Sequence, residues 1–305
     1  MHRYYTWVFA VLTCLCIASV DAQIVHIWDL ADATQPGQFT IFNPDPNDAE
    51  FGTPITAGDI NGDGRDELVI SAMAGDGPDN GRSNAGEVAI YFGEETIAGQ
   101  LDLSLDDARV VTVYGEAMDD IFGIKAHVGD VTGDGVQDLL VGAFYADGEG
   151  RQDAGKLYII SGLLLMELHA GSRMLDLAQP WPSGVSVVTG PEERSRLGVW
   201  MSSGDVNGDG FEDVLVSADQ ASGMGGAVET GRVYVLYGPL AADARLDLAN
   251  TAHPLSIIYG VDAFDHAGSS LASGDVDGDG FAEVIIGAGA FGTLRNAYDR
   301  QGGGG

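Results

Sequence analysis

Four copies of one acidic loop carry the oxygen-bearing side chains that could do chemistry in this chain. They read DINGDGRDE from residue 59, DVTGDGVQD from 130, DVNGDGFED from 205 and DVDGDGFAE from 275. With the first aspartate as position 1, side-chain oxygens fall at positions 1, 3, 5 and 9, and glycine occupies positions 4 and 6. A chain that curls around an ion can point alternate side chains inward, and glycine permits the tight turn because it adopts positive φ. The pattern predicts a site for a hard cation in each loop.

Calcium is the cation that this donor set favours. Ca²⁺ takes about six to eight oxygen ligands, whereas Mg²⁺ demands strict octahedral geometry and keeps several waters. Zinc is disfavoured because no loop contains Cys or His. We predict up to four Ca²⁺ ions, held by side chains at positions 1, 3, 5 and 9 and by the backbone carbonyl of position 7. The predicted ligands are Asp59, Asn61, Asp63, Arg65, Glu67, Asp130, Thr132, Asp134, Val136, Asp138, Asp205, Asn207, Asp209, Phe211, Asp213, Asp275, Asp277, Asp279, Phe281 and Glu283.

The EF-hand is the obvious alternative for these loops, since it also begins with D-x-[DN]-x-[DN]-G. An EF-hand requires a bidentate glutamate at position 12 and helices on both sides. Here position 12 lies in an apolar, β-branched run that is typical of a buried strand. The four residues at that position are Ile70, Val141, Val216 and Ile286. The sequence therefore excludes the EF-hand.

The loops belong to repeats of about 70 residues, and each repeat shows the pattern of four short strands. The runs after the loops are LVISA, LLVGA, VLVSA and VIIGA. The later strands of each unit end in a glycine, which in most of them follows an aromatic residue. Repeats of this kind predict an all-β fold, a β-propeller of four-stranded blades. We place the repeats at about 51–121, 122–196 and 197–266, with partial units at 267–305 and 24–50.

Three kinds of segment connect these strands. LLLMELHA at 163–170 is interpreted as an apolar connection rather than a helix. A leucine-aspartate segment, LDL, precedes the last strand of each unit at 101–103, 175–177 and 246–248. Glycine-rich loops of variable sequence follow the second strand, and because propeller loops carry specificity we expect them to contact a ligand. These variable loops span 73–86, 144–154 and 219–231.

The two ends of the chain resemble halves of one unit. Residues 24–42 match the third and fourth strands, and residues 267–305 match the first and second strands. Joined together, the halves would make a composite blade and a ring of about four blades, which would remove the open sheet edges. The alternative is that the chain is a fragment of a longer ring, because propellers with four to eight blades are all geometrically possible.

The N-terminal segment points to an exported protein, and the charge disfavours some classes of partner. Residues 1–22 read as a signal peptide, with Arg3 before an apolar run and Val20-Asp21-Ala22 as a cleavage site, so 23–305 forms the mature propeller. Cys14 and Cys16 would leave with that segment, and metal could then stabilise a chain that lacks disulfides. The 46 acidic residues against 14 Lys and Arg disfavour nucleic acid and anionic membranes as partners. No membrane span is expected in the mature chain.

The units resemble FG-GAP repeats, which build the head of the integrin α-subunit. The name-giving pair appears as Phe51-Gly52 and Phe122-Gly123, with departures at Leu197-Gly198 and Ala267-Gly268. The resemblance covers essentially all of 24–305 and implies a β-propeller with Ca²⁺ bound in loops on one face. It assigns the loop residues named above as calcium ligands. Integrin propellers have seven blades, so the resemblance favours a fragment of a seven-bladed ring.

A binding module is the function that these features favour, and catalysis finds little support. No G-x-S-x-G, H-E-x-x-H or P-loop motif occurs, and His127 and His266 are lone histidines. We expect a secreted or cell-surface, calcium-binding propeller that acts in adhesion or in binding an extracellular protein or polysaccharide, and not an enzyme. The alternative is the non-catalytic propeller of a larger extracellular hydrolase, either phospholipase D-like or lyase-like.

Overall fold

The structure is a computed structural model that describes residues 10–12, 38–43, 50–93, 99–103 and 107–289. The predicted signal peptide, 1–22, lies outside these ranges except for Ala10–Leu12, and of the partial unit at 24–50 only 38–43 and residue 50 are described. The strands are β1 Ala10–Leu12, β2 Gln38–Phe42, β3 Phe51–Gly58, β4 Glu67–Ala72, β5 Glu87–Tyr91, β6 Gly99–Asp102, β7 Val110–Tyr114, β8 Phe122–Gly129, β9 Asp138–Ala143, β10 Lys156–Ile160, β11 Met174–Asp176, β12 Val185–Thr189, β13 Leu197–Gly204, β14 Asp213–Ala218, β15 Arg232–Leu236, β16 Arg245–Asp247, β17 Leu255–Tyr259, β18 Ala267–Gly274 and β19 Glu283–Ala288. One α-helix, α1, spans Gly162–Ala170, and short 3₁₀ turns lie at Pro78–Asn80 and Met224–Gly226.

Each complete unit forms one antiparallel sheet whose strands follow in chain order, which confirms the predicted blades. The orders are β3-β4-β5-β7, β8-β9-β10-β12 and β13-β14-β15-β17. The fourth unit contributes the pair β18-β19. At the N-terminal side, β2 pairs antiparallel with β1, which lies inside the span predicted as the signal peptide. Strand β2 is the part of 24–42 that the structure describes.

The leucine-aspartate segments join the sheet of the preceding unit, which corrects their assignment to their own unit. Strand β11 pairs in parallel with β7, β16 with β12 and β6 with β2. The first two blades therefore have five strands, and the fifth belongs to the next repeat. The sequence could not show this, because an LDL triplet carries no information about which sheet edge it will meet.

The sheets stack with apolar side chains on both faces, as blades of a propeller do. Leu139 and Val141 of β9 pack in the core shared with the blade before it, whereas Leu140 packs in the core shared with the blade after it. Alternate residues of one strand thus enter two different cores, which explains why the strand reads as a continuous apolar run. The first strands β3, β8, β13 and β18 contact one another in succession, so they form the inner edge of the arrangement.

The segment 163–170 is helical, and its interpretation as a mere connection is wrong. Helix α1 begins at Gly162, where the side chain of Ser161 accepts a hydrogen bond from the amide of Leu163 at 3.2 Å. Leu164 and Leu165 are buried in the core between the first two blades. The residues are good helix formers with a serine cap. The segment begins with four consecutive apolar residues, 163–166, so the sequence shows no clear helical period there.

Candidate metal centres

Each acidic loop connects the first strand of its sheet to the second. Because the first strands lie side by side, the loops gather at one end of the neighbouring sheets, where successive loops contact each other. The glycines at positions 4 and 6 all have φ between 72° and 96°, as the tight turn requires. They are Gly62, Gly64, Gly133, Gly135, Gly208, Gly210, Gly278 and Gly280.

The aspartate at position 1 is fixed in the same way in all four loops. Asp59 accepts hydrogen bonds from the amides of Asp63 at 3.0 Å and Gly64 at 2.9 Å. The equivalent amides at positions 5 and 6 donate to Asp130, Asp205 and Asp275 at 2.9–3.2 Å. Backbone amides therefore hold each first carboxylate toward the centre of its own turn, as the spacing predicts for a ligand.

The residue at position 9 enters the loop from the start of the second strand. Glu67, Asp138 and Asp213 have no exposed surface, while Glu283 is half-buried. Glu67 Oε2 accepts from the amides of Ile60 at 2.8 Å and Asn61 at 3.1 Å. The other three carboxylates accept equivalent hydrogen bonds from backbone amides. Val131 and Thr132 donate to Asp138, Val206 donates to Asp213 and Val276 donates to Glu283. The position-9 carboxylate thus links the end of each loop to its beginning. It is called the closing carboxylate below.

Burial makes these closing carboxyl groups weaker acids than free Asp or Glu. Burial raises the pKa of Glu67 and Asp213, and it raises the pKa of Asp138 to about 6, against backbone amides that lower it. Neighbouring loop carboxylates act in the same direction as burial on all three pKa values. A buried carboxylate that is crowded by like charge is destabilised unless a cation neutralises it.

Positions 3 and 5 complete the arrangement in three loops. Asn61, Asn207 and Asp277 each accept a hydrogen bond from the position-5 amide at 2.8–3.1 Å. The position-5 carboxylates accept from the position-7 amides at 2.9–3.0 Å in every loop, from Asp63 to Asp279. Thr132 is the exception at position 3, since its buried hydroxyl oxygen accepts no hydrogen bond from the position-5 amide. Ligation by the position-7 carbonyls stays a prediction.

The fourth loop shows how closely the acidic side chains approach one another. Carboxylate oxygens of Asp275, Asp277 and Glu283 lie within 4.8 Å of one another, the one such group of three carboxylate, His or Cys residues in the described part of the chain. The other loops have an amide or hydroxyl at position 3, so they bring fewer acids together. Oxygen donors alone, several of them anionic, fit Ca²⁺ and do not fit zinc.

A glycine beyond the loop, which sequence reasoning missed as a site residue, supports the closing carboxylate. The amide of Gly162 donates to Asp138 at 3.2 Å, and the amide of Gly238 donates to Asp213 at 2.8 Å. A Cβ on either glycine would lie 2.2–2.3 Å from the backbone oxygen of the residue before that aspartate. The signal in the sequence is the glycine that ends the third strand of each unit.

The two histidines have structural partners. His127 Nε2 lies 2.9 Å from the hydroxyl of Ser203 on the neighbouring blade, and burial lowers the pKa of His127. The buried His266 places Nδ1 at 3.1 Å from the carbonyl of Asp219. Each histidine therefore joins two blades.

The variable loops lie at the other end of the sheets and hold neighbouring blades together. Backbone amides at the start of the next blade bond to the last residues of each loop, as Phe122 does to Ala85, Leu197 to Ala154 and Ala267 to Thr230, at 2.8–3.0 Å. The loops also form ion pairs with the leucine-aspartate strands, between Arg82 and Asp176 at 2.6 Å and between Arg151 and Asp247. The first and third of these loops carry short 3₁₀ turns at Pro78–Asn80 and Met224–Gly226. Contact of the loops with a ligand stays a prediction.

Comparison with known proteins identifies the repeats. The sequence model described as "FG-GAP repeat" matches residues 51–91, 122–160, 197–236 and 267–305, together just over half of the chain. The chain belongs to the FG-GAP repeat family. In this structure the glycines after the name-giving position, Gly52, Gly123, Gly198 and Gly268, have φ between 84° and 95° and lie at a β-bulge in the first strand.

The regions that match this FG-GAP protein are parts of much longer proteins. It is 27% identical to Integrin alpha-5 of Xenopus laevis over 254 residues, which are 79% of this chain and 20% of the relative. It is 27% identical to Integrin alpha-8 of Homo sapiens over 83% of this chain and 21% of the relative. It is also 27% identical to Phosphatidylinositol-glycan-specific phospholipase D of Bos taurus, over 72% of this chain and 24% of that protein. The chain thus spans about a fifth to a quarter of these relatives.

Proposed function

We propose that the chain is a calcium-binding propeller module that binds an extracellular ligand and is not itself an enzyme. The observation that carries the proposal is the repeated loop geometry, in which amide-fixed carboxylates and a buried closing acid recur at one end of successive blades. Calcium bound there would neutralise the closing carboxylates and hold the loop that joins the first two strands of each blade.

Removal of calcium tests the first half of the proposal. At a free calcium concentration one hundred times the dissociation constant, each independent site stabilises the folded state by about 2.7 kcal/mol. We therefore expect a chelator to lower Tm by many degrees, with restoration by excess Ca²⁺. Calorimetric titration should give a stoichiometry of up to four. The same Tm with chelator and with millimolar calcium would refute the proposal.

A location outside the cell or at its surface agrees with the integrin relatives and with the acidic composition. Among the described residues, none of the helices has the length and apolar character needed to cross a bilayer. The ligand class we propose is an extracellular protein or polysaccharide, contacted by the exposed tips of the variable loops. Met224 and Val228 are 78% and 52% exposed at the tip of the third loop, so they offer apolar contact area.

Ligand binding is tested by screening glycan and matrix-protein arrays with the calcium-loaded chain. We expect a ligand whose capture is lost when Met224 and Val228 are both replaced by Ser. Loss of capture is informative only if Tm is unchanged, which is expected because both side chains are largely exposed. Capture that is equal for the two proteins would show that this loop tip is not the contact.

The second candidate function is that of a non-catalytic propeller within a larger extracellular hydrolase. The similarity to phosphatidylinositol-glycan-specific phospholipase D over 72% of this chain supports it. The discriminating measurement is hydrolysis of a phosphatidylinositol-glycan substrate by the purified chain and by the complete reading frame that contains it. Activity in the complete protein alone would favour this candidate, and inactivity of both would favour the binding module.

A further inference from the structure

Successive metal loops touch each other through the aromatic residue at position 7. A Cβ placed on Gly208 would lie 2.0 Å from Cε1 of Phe281, and one on Gly133 would lie 2.7 Å from Cδ1 of Phe211. The ring of each phenylalanine therefore packs directly on the position-4 glycine of the loop before it in the chain. These glycines form the turn with φ of 72° at Gly133 and 75° at Gly208.

The glycine under each ring also orients the first ligand of its own loop. The amide of Gly208 donates to Asp205 Oδ1 at 2.7 Å, and the amide of Gly133 donates to Asp130 Oδ1 at 2.8 Å. A ring that rests on this turn limits the conformations of the amide. It thereby limits the directions that the position-1 carboxylate can take, and ordering of this kind contributes to binding free energy.

Each phenylalanine is at the same time part of its own loop. The amide of Phe281 donates to Asp279 at 2.9 Å, and the carbonyl of Phe281 is the predicted position-7 ligand. The next amide, that of Ala282, crosses between the loops and donates to the carbonyl of Asp205 at 2.8 Å. A cation in the fourth loop would therefore fix the residue whose ring covers the third loop.

We propose that Phe211 and Phe281 couple the cation sites of successive loops, so that a cation in one loop raises the affinity of the loop before it. The inference rests on the proposed binding of calcium in these loops. By linkage the coupling is reciprocal, and couplings of this type change affinity by about 5- to 150-fold. The phenylalanines act as positioning residues, since their side chains supply no ligand atom.

The first loop provides an internal comparison. Among the residues that the structure describes, no atom outside the chain neighbours of Gly62, the position-4 glycine of that loop, lies within 4 Å of a Cβ placed on it. The position-7 residue of the second loop is Val136, which packs near Gly162 instead. The ring contact thus links the second, third and fourth loops and leaves the first loop out.

The coupling can be measured loop by loop with the full chain labelled with ¹⁵N-glycine. The position-6 amides of Gly64, Gly135, Gly210 and Gly280 each donate to the first carboxylate of their own loop, so each reports one site. In Phe281→Ala we expect the Ca²⁺ midpoints at Gly210 and Gly280 to rise about ten-fold. The midpoint at Gly64 should not change.

A double-mutant cycle separates coupling from a local effect of the substitution. Asp275→Asn removes a ligand of the fourth loop and should weaken binding at Gly210 in the parent chain. The same substitution should have no further effect at Gly210 when Phe281 is already Ala. Phe264→Ala is the matched control, because Phe264 is an exposed phenylalanine, 51% accessible, that lies in the turn before strand β18 and outside the four acidic loops.

The outcomes are distinct. An unchanged Gly210 midpoint in Phe281→Ala, with calcium still bound, would overturn the coupling and leave the proposed function intact. Glycine amides that do not respond to millimolar Ca²⁺ in the parent chain would overturn both. Phe211→Ala provides a second test, since it should raise the midpoint at Gly135, and Phe211 is 40% exposed and therefore unimportant for the core.

Discussion

Asp120 is a buried carboxyl that should make the stability of this protein depend on pH. It lies in the turn between β7 and β8 and is only 6% exposed. Burial is the main reason that the pKa of Asp120 is raised to about 7; Glu116 and Asp147 act in the same direction, while Lys156 and the amide of Ala117 oppose it. The proton therefore binds this carboxyl more tightly in the folded chain than in the unfolded chain.

The sign and size of the effect follow from the two pKa values. Because the folded pKa of about 7 exceeds the unfolded value of 3.8, the contribution to stability is complete below pH 3.8 and is lost as the pH rises through 7. The total loss is about 4 kcal/mol at about 1.4 kcal/mol per pKa unit, and about 2–3 kcal/mol of it falls between pH 5 and pH 8.

Asp120→Asn removes the titration with little change in shape. Urea unfolding of both proteins at pH 5 and pH 8 in saturating calcium measures the difference in the free energy of unfolding. We expect the variant to gain about 2–3 kcal/mol on the parent chain between the two pH values. Asp119→Asn, at the exposed neighbouring position, is the control and should show no such gain. A difference that is equal at both pH values would refute the reasoning.

Two further predictions concern the seams between blades. Gly142→Ala should destabilise the fold by about 2 kcal/mol or more, because its Cβ would lie 1.9 Å from the carbonyl oxygen of Gly198. Gly274→Ala, whose Cβ would meet no atom of the described residues within 4 Å, should be nearly neutral in thermal unfolding. A double-mutant cycle on Arg151→Ala and Asp247→Ala should give a coupling of about 1–2 kcal/mol, because both side chains are mostly buried, and additive effects would show that the ion pair contributes nothing.

The blades and their acidic loops could be predicted because the information for them is local. In each loop, oxygen-bearing side chains stand at positions 1, 3 and 5, glycines stand at positions 4 and 6, and the closing acid stands at position 9. The same holds for Leu139–Val141, whose continuous apolar run indicates a strand that is buried on both faces. The structure confirms the sheet that each of these predicts.

What the sequence alone determined is the repeating blade and the loop that fits a cation, since backbone turns and alternating side chains within one segment define both. Only the tertiary structure decided how one repeat depends on the next. The leucine-aspartate strands cross to the preceding sheet, Arg82 and Arg151 reach an aspartate of the following repeat, and Phe281 rests on Gly208. These contacts join residues 58 to 96 positions apart. Their partners are selected by the stacking of whole sheets, which no local pattern records.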